Sequence, residues 1–183
     1  MPIPPYVSHL RTMVGRELLW MPGVTAVVLR DGAGGAGDSG GAGAARGAGG
    51  AGGADGAGAP QEVLLVRRSD NGAWTPVTGI VDPGEHPHVT AVREVAEEAS
   101  VVAEVERLVW VSATGVVTHV NGDLGQYLDH TFRCRWVSGD PAPGDDEATE
   151  AGWFALDALP EMAQRFLDRI AVAVENPRDV RLG

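Results

Sequence analysis

Residues 32–59 are glycine and alanine throughout, apart from Asp38, Ser39, Arg46 and Asp55. Such a segment buries too little apolar area to offset the entropy of ordering its backbone. It cannot belong to a core, so the fold must be assembled from the chain on either side of it. It has no Gly-X-Y period with proline, which excludes a collagen-like triple helix. A phosphate-cradling glycine loop would need a Lys-Ser/Thr pair leading into a helix. Neither follows here, and the chain contains no lysine. The expectation is a disordered Gly/Ala-rich insertion, 32–60, in a hairpin loop.

The flanking segments support the hairpin. "VTAVVLR" (24–30) and "EVLLVRR" (62–68) are rich in Val and Leu and read as strands. Upstream, Leu10, Met13, Val14, Leu18 and Leu19 recur at helical spacing over 6–19. This predicts an N-terminal helical segment, 1–21, docked on the domain or on a second subunit in a homodimer. Downstream, "RSDNGAWTPVTG" holds an Asn-Gly turn signal and an extended piece from Trp74 to Thr78. A helix follows within 79–101, with Pro87 in its first turn, where proline forfeits no hydrogen bond. Strands are expected at 102–111, 114–120, 126–137 and 152–155, with a turn at Asn121-Gly122. A final helix from about Pro160 to Val174 should turn Phe166, Leu167, Ile170 and Val174 inward. One α+β domain over 22–175, layered as an α/β/α sandwich, accounts for this order, followed by a tail, 176–183.

Charge narrows the function. The chain has 25 acidic residues against 14 basic ones, a formal net charge of -11. That surface repels a nucleic acid duplex, and a small polyanionic substrate would need a bound metal. A single cysteine, Cys134, excludes an internal disulfide and suits a reducing cytoplasm. In "TFRCRWV" it alternates with Arg133 and Arg135, as a core residue on a strand would. No apolar run is long enough to span a bilayer, and the first twenty residues do not read as a secretory signal.

The chemistry concentrates in "GIVDPGEHPHVTAVREVAEEASV", residues 79–101. On a helix, Glu94, Glu97 and Glu98 fall within an arc of about 100°. Val89, Val92, Val95, Ala96 and Ala99 are then expected to form the buried face. Like charges at this spacing destabilise a helix by a few tenths of a kcal/mol per pair, roughly. A hard divalent cation removes that penalty, because Mg²⁺ and Mn²⁺ prefer carboxylate oxygens. Three glutamates alone read more simply as a solvated acidic face.

The wider spacing changes that reading. Gly79, Glu85, Arg93, Glu94, Glu97 and Glu98, with Val95 and Val101 in the apolar slots, match the Nudix box at every interval. The segment resembles the Nudix hydrolase family, with Ser100 where the family carries its last glycine. That glycine usually has left-handed backbone, which serine adopts at a cost of about 1 kcal/mol. The resemblance implies a Nudix-type sandwich with a mixed β-sheet and a divalent-metal-dependent pyrophosphohydrolase, using Mg²⁺ or Mn²⁺. Its substrate would be a nucleoside diphosphate linked to another group. The Gly79 carbonyl, Glu94, Glu97 and Glu98 would hold metal, with Glu94 a further ligand or the water-activating base. Arg93 would pair with Glu85 and Glu94. Many relatives add a late-loop glutamate; of Asp145, Asp146, Glu147 and Glu150, Glu147 is favoured by its place before the strand to Trp153. A plain acidic loop is the alternative.

Substrate choice is less constrained. Residues 102–122 lack the proline often seen in ADP-ribose pyrophosphatases and the tyrosine of diadenosine polyphosphate hydrolases. Elimination favours a nucleoside triphosphate, including damaged or non-standard ones. An ADP-ribose or nucleotide-sugar pyrophosphatase and a non-catalytic nucleotide-sensing module are the alternatives. Trp74, Tyr127 and Phe132 are the candidate base or sugar contacts. His86, His88, His119 and His130 are expected to be surface or core residues rather than ligands.

Overall fold

The computed structural model describes residues 4–32 and 62–183. The expected insertion therefore lies outside the described residues, apart from Gly32. In chain order the elements are α1 (Pro5–Val14), β1 (Leu19–Arg30), β2 (Glu62–Arg68), β3 (Trp74–Thr75), β4 (Val77–Ile80), α2 (Pro87–Ala99), β5 (Val102–Ala113), β6 (Val117–Thr118), β7 (Leu124–Ser138), β8 (Ala148–Ala155), α3 (Gln164–Glu175) and β9 (Arg181–Leu182).

The nine strands join one mixed sheet with the path β3-β2-β1-β7-β5-β9, while β4 pairs with β1, β6 with β7 and β8 with β2. The β1–β7 and β5–β9 pairs are parallel. β1 is central and buried on both faces, which explains its near-continuous apolar run. Val24, Ala26 and Val28 pack with Ala91, Val95 and Ala99 of α2. Val27 and Leu29 pack with Ile170, Val172 and Ala173 of α3. The two helices thus cover opposite faces, as an α/β/α sandwich requires.

Several boundaries differ from expectation. The N-terminal helix stops at Val14, not Leu19, because Gly15 takes φ 60° and its N–H closes on the Arg11 carbonyl. Leu18 is exposed and Leu19 already pairs with Gly125 in the sheet. α1 docks on its own domain: Arg11 donates to the Leu124 carbonyl at 2.8 Å and pairs with Asp123 at 3.3 Å. Pro76, which has no N–H, separates β3 from β4 in the stretch expected to be continuous. Of 114–120 only Val117–Thr118 is strand, while Gly122, at φ 83°, makes the turn foreseen there. β8 begins four residues earlier than expected, and α3 starts at Gln164 rather than Pro160. Residues 181–182 of the tail pair with β5.

The largest correction concerns α2. Its buried residues are Thr90, Ala91, Val95, Glu98 and Ala99, whereas Val89 and Ala96 face solvent. The buried arc is rotated towards the glutamates. Glu94 and Glu98 therefore edge the interior instead of standing opposite it.

Candidate active site

α2 begins with Pro87 in its first turn and ends on Ser100, which has the left-handed conformation φ 57°, ψ 26° foreseen for the family's glycine position. Its start is tied to the preceding loop. Glu85 accepts a hydrogen bond from Thr90 Oγ1 at 2.7 Å and two from Arg93, Nε at 3.1 Å and Nη2 at 3.0 Å. Arg93 Nη1 also donates to Glu94 Oε1 at 3.1 Å and to Glu97 Oε2 at 2.8 Å. The guanidinium fork thus gathers three carboxylates. The hydrogen bonds from Arg93 hold the Glu85 carboxyl below its ordinary range, and those to Glu85 push Arg93 up.

The inner carboxylates are shifted the opposite way. Burial first, then the charges of Glu147 and Glu97, push Glu94 up to about 7 against the opposing pull of Arg93. Burial, then Glu94 and Glu147, push Glu98 up to about 9, against Arg68. Glu98 is 4% exposed, and its Oε1 has no hydrogen-bond partner. Glu147 is also raised, by burial and then by Asp145. It sits just before β8, where its backbone N–H is held by Asp145 Oδ1 at 2.8 Å and its carbonyl accepts from Ser69 N at 2.9 Å. Of the four acids weighed on this loop, Glu147 and, more weakly, Asp145 raise the Glu98 carboxyl. Glu150 is exposed and pairs with Arg67.

Gly79, on β4, lies directly under Glu94. A Cβ there would overlap the Glu94 carboxyl group, so any larger residue would displace that side chain. The fit to a divalent cation rests on this donor set. Glu98 presents a buried, unpartnered carboxylate oxygen beside Glu94 and Glu147, an arrangement that costs free energy unless a cation or proton compensates it. Among the described residues no three acidic, histidine or cysteine side chains close on a common point. Glu97 is turned onto Arg93 instead of towards Glu98.

Beside the cluster opens a cleft of about 340 Å³. Trp74 and Tyr127 line it. Trp74 sets its ring edge-on to Phe154 at 4.8 Å, and Tyr127 shares a 2.8 Å hydrogen bond with His119. Phe132, by contrast, does not reach the cleft. It is 6% exposed within the α2-side core, because strand alternation puts it on the same face as Cys134. Cys134 is likewise buried, and burial pushes its thiol up to about 12.

Sequence reasoning missed three participants. Arg68, at the end of β2, makes two hydrogen bonds to Asp70, Nε at 2.9 Å and Nη2 at 2.7 Å, and opposes the Glu98 and Glu147 charges. Thr90 steadies Glu85. A buried network forms the cleft floor: Asp129 accepts from Thr25 Oγ1 at 2.8 Å, Thr131 Oγ1 at 2.9 Å and Arg169 Nε at 3.0 Å. The Thr25–Asp129 and Arg169–Asp129 contacts join residues far apart in sequence, and no local pattern announces them.

A mixed sheet between two helical layers thus sets a group of carboxylates beside an open cleft. Residues 54–173 match the model of the NUDIX domain, and the chain belongs to that family. Members of the family generally use divalent metals. The chain is 38% identical over 111 residues to the NAD-capped RNA hydrolase NudC of Pseudomonas aeruginosa, covering 59% of this chain and 37% of that relative. It is 33% identical over 102 residues to the dihydroneopterin triphosphate diphosphatase of Escherichia coli, covering 56% and 59%. The chain therefore spans less than two thirds of either relative's length. The fold is shared with an ADP-ribose pyrophosphatase of Streptococcus suis, at TM-score 0.58 and 20% identity, over 89% of this chain and 98% of that one. No helix among the described residues is long and apolar enough to cross a membrane.

Proposed function

We propose that the protein is a Mg²⁺- or Mn²⁺-dependent pyrophosphohydrolase acting on a nucleoside diphosphate linked to another group, with a nucleoside triphosphate as first choice. The observation that carries this is the unpartnered buried carboxylate oxygen of Glu98, set among Glu94 and Glu147. When bound, a divalent cation supplies a Lewis acid that neutralises the diphosphate and activates water. Glu94, Glu97, Glu98 and the Gly79 carbonyl would hold it, which requires Glu97 to leave Arg93. Arg93 then keeps the loop at Glu85 against α2. Glu147 accepts the proton of the attacking water at its carboxylate. The water oxygen bonds to one phosphorus as the bridging P–O bond breaks towards the other phosphate. Glu94 is the competing base, on the helix side. Trp74 and Tyr127 flank the nucleoside. The buried lone thiol suits a cytoplasmic enzyme.

A second reading, hydrolysis of a dinucleotide or nucleotide sugar, is favoured by the extent of the cleft, which continues from Gly79 to α3. Similarity to an NAD-cap hydrolase supports it as well. A panel of nucleoside triphosphates, dinucleotides and nucleotide sugars, with Mg²⁺ or Mn²⁺ and products identified by mass, tests both. Glu147→Gln is expected to lower kcat on the accepted substrate by about 10²–10⁴ with little change in metal affinity. Near-normal kcat in that variant would transfer the base role to Glu94. No turnover of any diphosphate-containing compound would overturn the reading and leave a nucleotide-binding module.

A further inference from the structure

The cleft carries three guanidinium groups at its wall: Arg68, Arg165 and Arg169. Two are neutralised. Arg68 is forked onto Asp70, and Arg169 is 4% exposed and bonded to Asp129. Arg165 has no carboxylate partner among the described residues. Its guanidinium lies over the Phe166 ring, 4.5 Å from the centroid. Its backbone is fixed from behind, since its carbonyl accepts from Arg169 Nη1 at 3.2 Å. Arg165 is therefore a held, exposed cation facing a cleft in a protein of net charge -11. In such a chain an arginine on the surface has many acids available, and this one has none.

Its position separates it from the reacting centre. The carboxylates stand on α2, whereas Arg165 stands on the first turn of α3, which covers the other face of the sheet. Ala163, at the same end, lines the cleft and gives the helix no side-chain cap, so the uncapped N–H groups add positive potential there. Partial burial, then the neighbouring Arg169 and Arg68 charges, pull Arg165 below its ordinary pKa. With Arg68 set against Asp70 and Arg169 against Asp129, both acids also lining the cleft, Arg165 is the cation left without a counter-charge there.

We propose that Arg165 forms an anion-recognising pole of the cleft and selects substrates bearing a second anionic group, a phosphate monoester or a carboxylate, remote from the scissile diphosphate. The proposal rests on the pyrophosphohydrolase reading for its kinetic consequence but not for binding. A planar guanidinium clamps either oxyanion in bidentate fashion. Arg169 holds the Arg165 carbonyl and is itself paired with Asp129.

The test has a binding arm and a kinetic arm. Without metal, in EDTA, adenosine 2′,5′-bisphosphate should bind about 10- to 100-fold tighter than AMP by calorimetry, the range of one charge-assisted contact. Arg165→Met should bring the ratio to near one, and Arg165→Lys should recover part of it. With metal, NADP⁺ against NAD⁺ tests a phosphate, and UDP-glucuronate against UDP-glucose tests a carboxylate. The source that Arg165 serves is the pair whose kcat/KM ratio collapses in Arg165→Met. Equal affinity for the two adenosine ligands together with a ratio near one in both kinetic pairs would overturn the proposal. So would an equal loss on both members of each pair in Arg165→Met, leaving both ratios as in the wild type. Discrimination in binding without hydrolysis of any compound would leave the anion pole standing and refute the hydrolase reading.

Discussion

Glu98 sets the pH behaviour of the metal-free protein. An unfolded glutamate titrates near 4.5, and the folded Glu98 is raised to about 9. Between those values the native state binds the extra proton. Its stabilisation is complete below the unfolded value and is lost as pH rises through the folded one. Glu94, raised to about 7, acts in the same direction. Thermal unfolding in EDTA should therefore show Tm falling between pH 5 and pH 9. Glu98→Gln should flatten that slope, raise the metal-free Tm at pH 8 by a few degrees, about 2–5 °C, and abolish the further rise that Mg²⁺ gives the wild type. A wild-type Tm that climbs across this interval would refute the assignment. At this scale much was legible. The expected pairing of Arg93 with Glu85 and Glu94 is present, Arg93 and Glu94 being placed by the helix and Glu85 by the loop before it. Phe132 was misjudged because an aromatic on a strand serves core or cleft according to which face it takes, and the partner layers decide that.

α2 is finished by a segment remote from it in sequence. Ala142 N donates to the Ala99 carbonyl at 3.1 Å and Gly144 N to the Glu98 carbonyl at 3.2 Å, so the 139–147 loop satisfies carbonyls that a helix end leaves open. The same loop carries Glu147 to the cluster. A Cβ on Gly144 would overlap the Glu97 carbonyl oxygen. Gly144→Ala is therefore expected to cost about 1–3 kcal/mol of stability and, if Glu147 is the base as proposed, to lower kcat more than KM rises, because it displaces Glu147 relative to the helix. An unaltered kcat with lowered stability would separate the loop from the chemistry. Ser100→Gly should raise stability by about 0.5–1 kcal/mol in denaturant unfolding, since serine has the left-handed backbone at a cost. The helix was predictable in extent from its period and proline, but its inward face was not. Val89 and Ala96 look buried by composition, yet contacts with β1, β4 and β5 place Thr90 and Glu98 inside. The Arg169–Asp129 pair joins residues 40 apart, which no local window can reveal.

At the scale of the molecule, one sheet divides two cores, and the cleft opens where β1 passes Gly23. The other end of β1 closes on β2 through the Leu29–Val63 and Arg30–Glu62 register, with Arg30 Nε 2.8 Å from Glu62 Oε2. That end is about 20 Å from the cleft at the rise of a strand. Deleting 33–59 would join Gly32 to Pro60 and leave Asp31, Gly32, Pro60 and Gln61 as the connection, a length hairpins tolerate. The deletion should keep kcat/KM within about twofold and change stability by roughly 1–2 kcal/mol at most. A large loss of turnover in a folded deletion variant would assign the segment a part in the reaction. The strand ends pinned by Arg30 and Glu62 also make this point of the molecule a permissive socket. Replication errors that lengthen or shorten the tract leave the register of both strands intact. If the deletion keeps turnover as expected, selection would have little to act on there, and a lineage could vary the tract, or accept a foreign module in its place, while its chemistry is inherited unchanged.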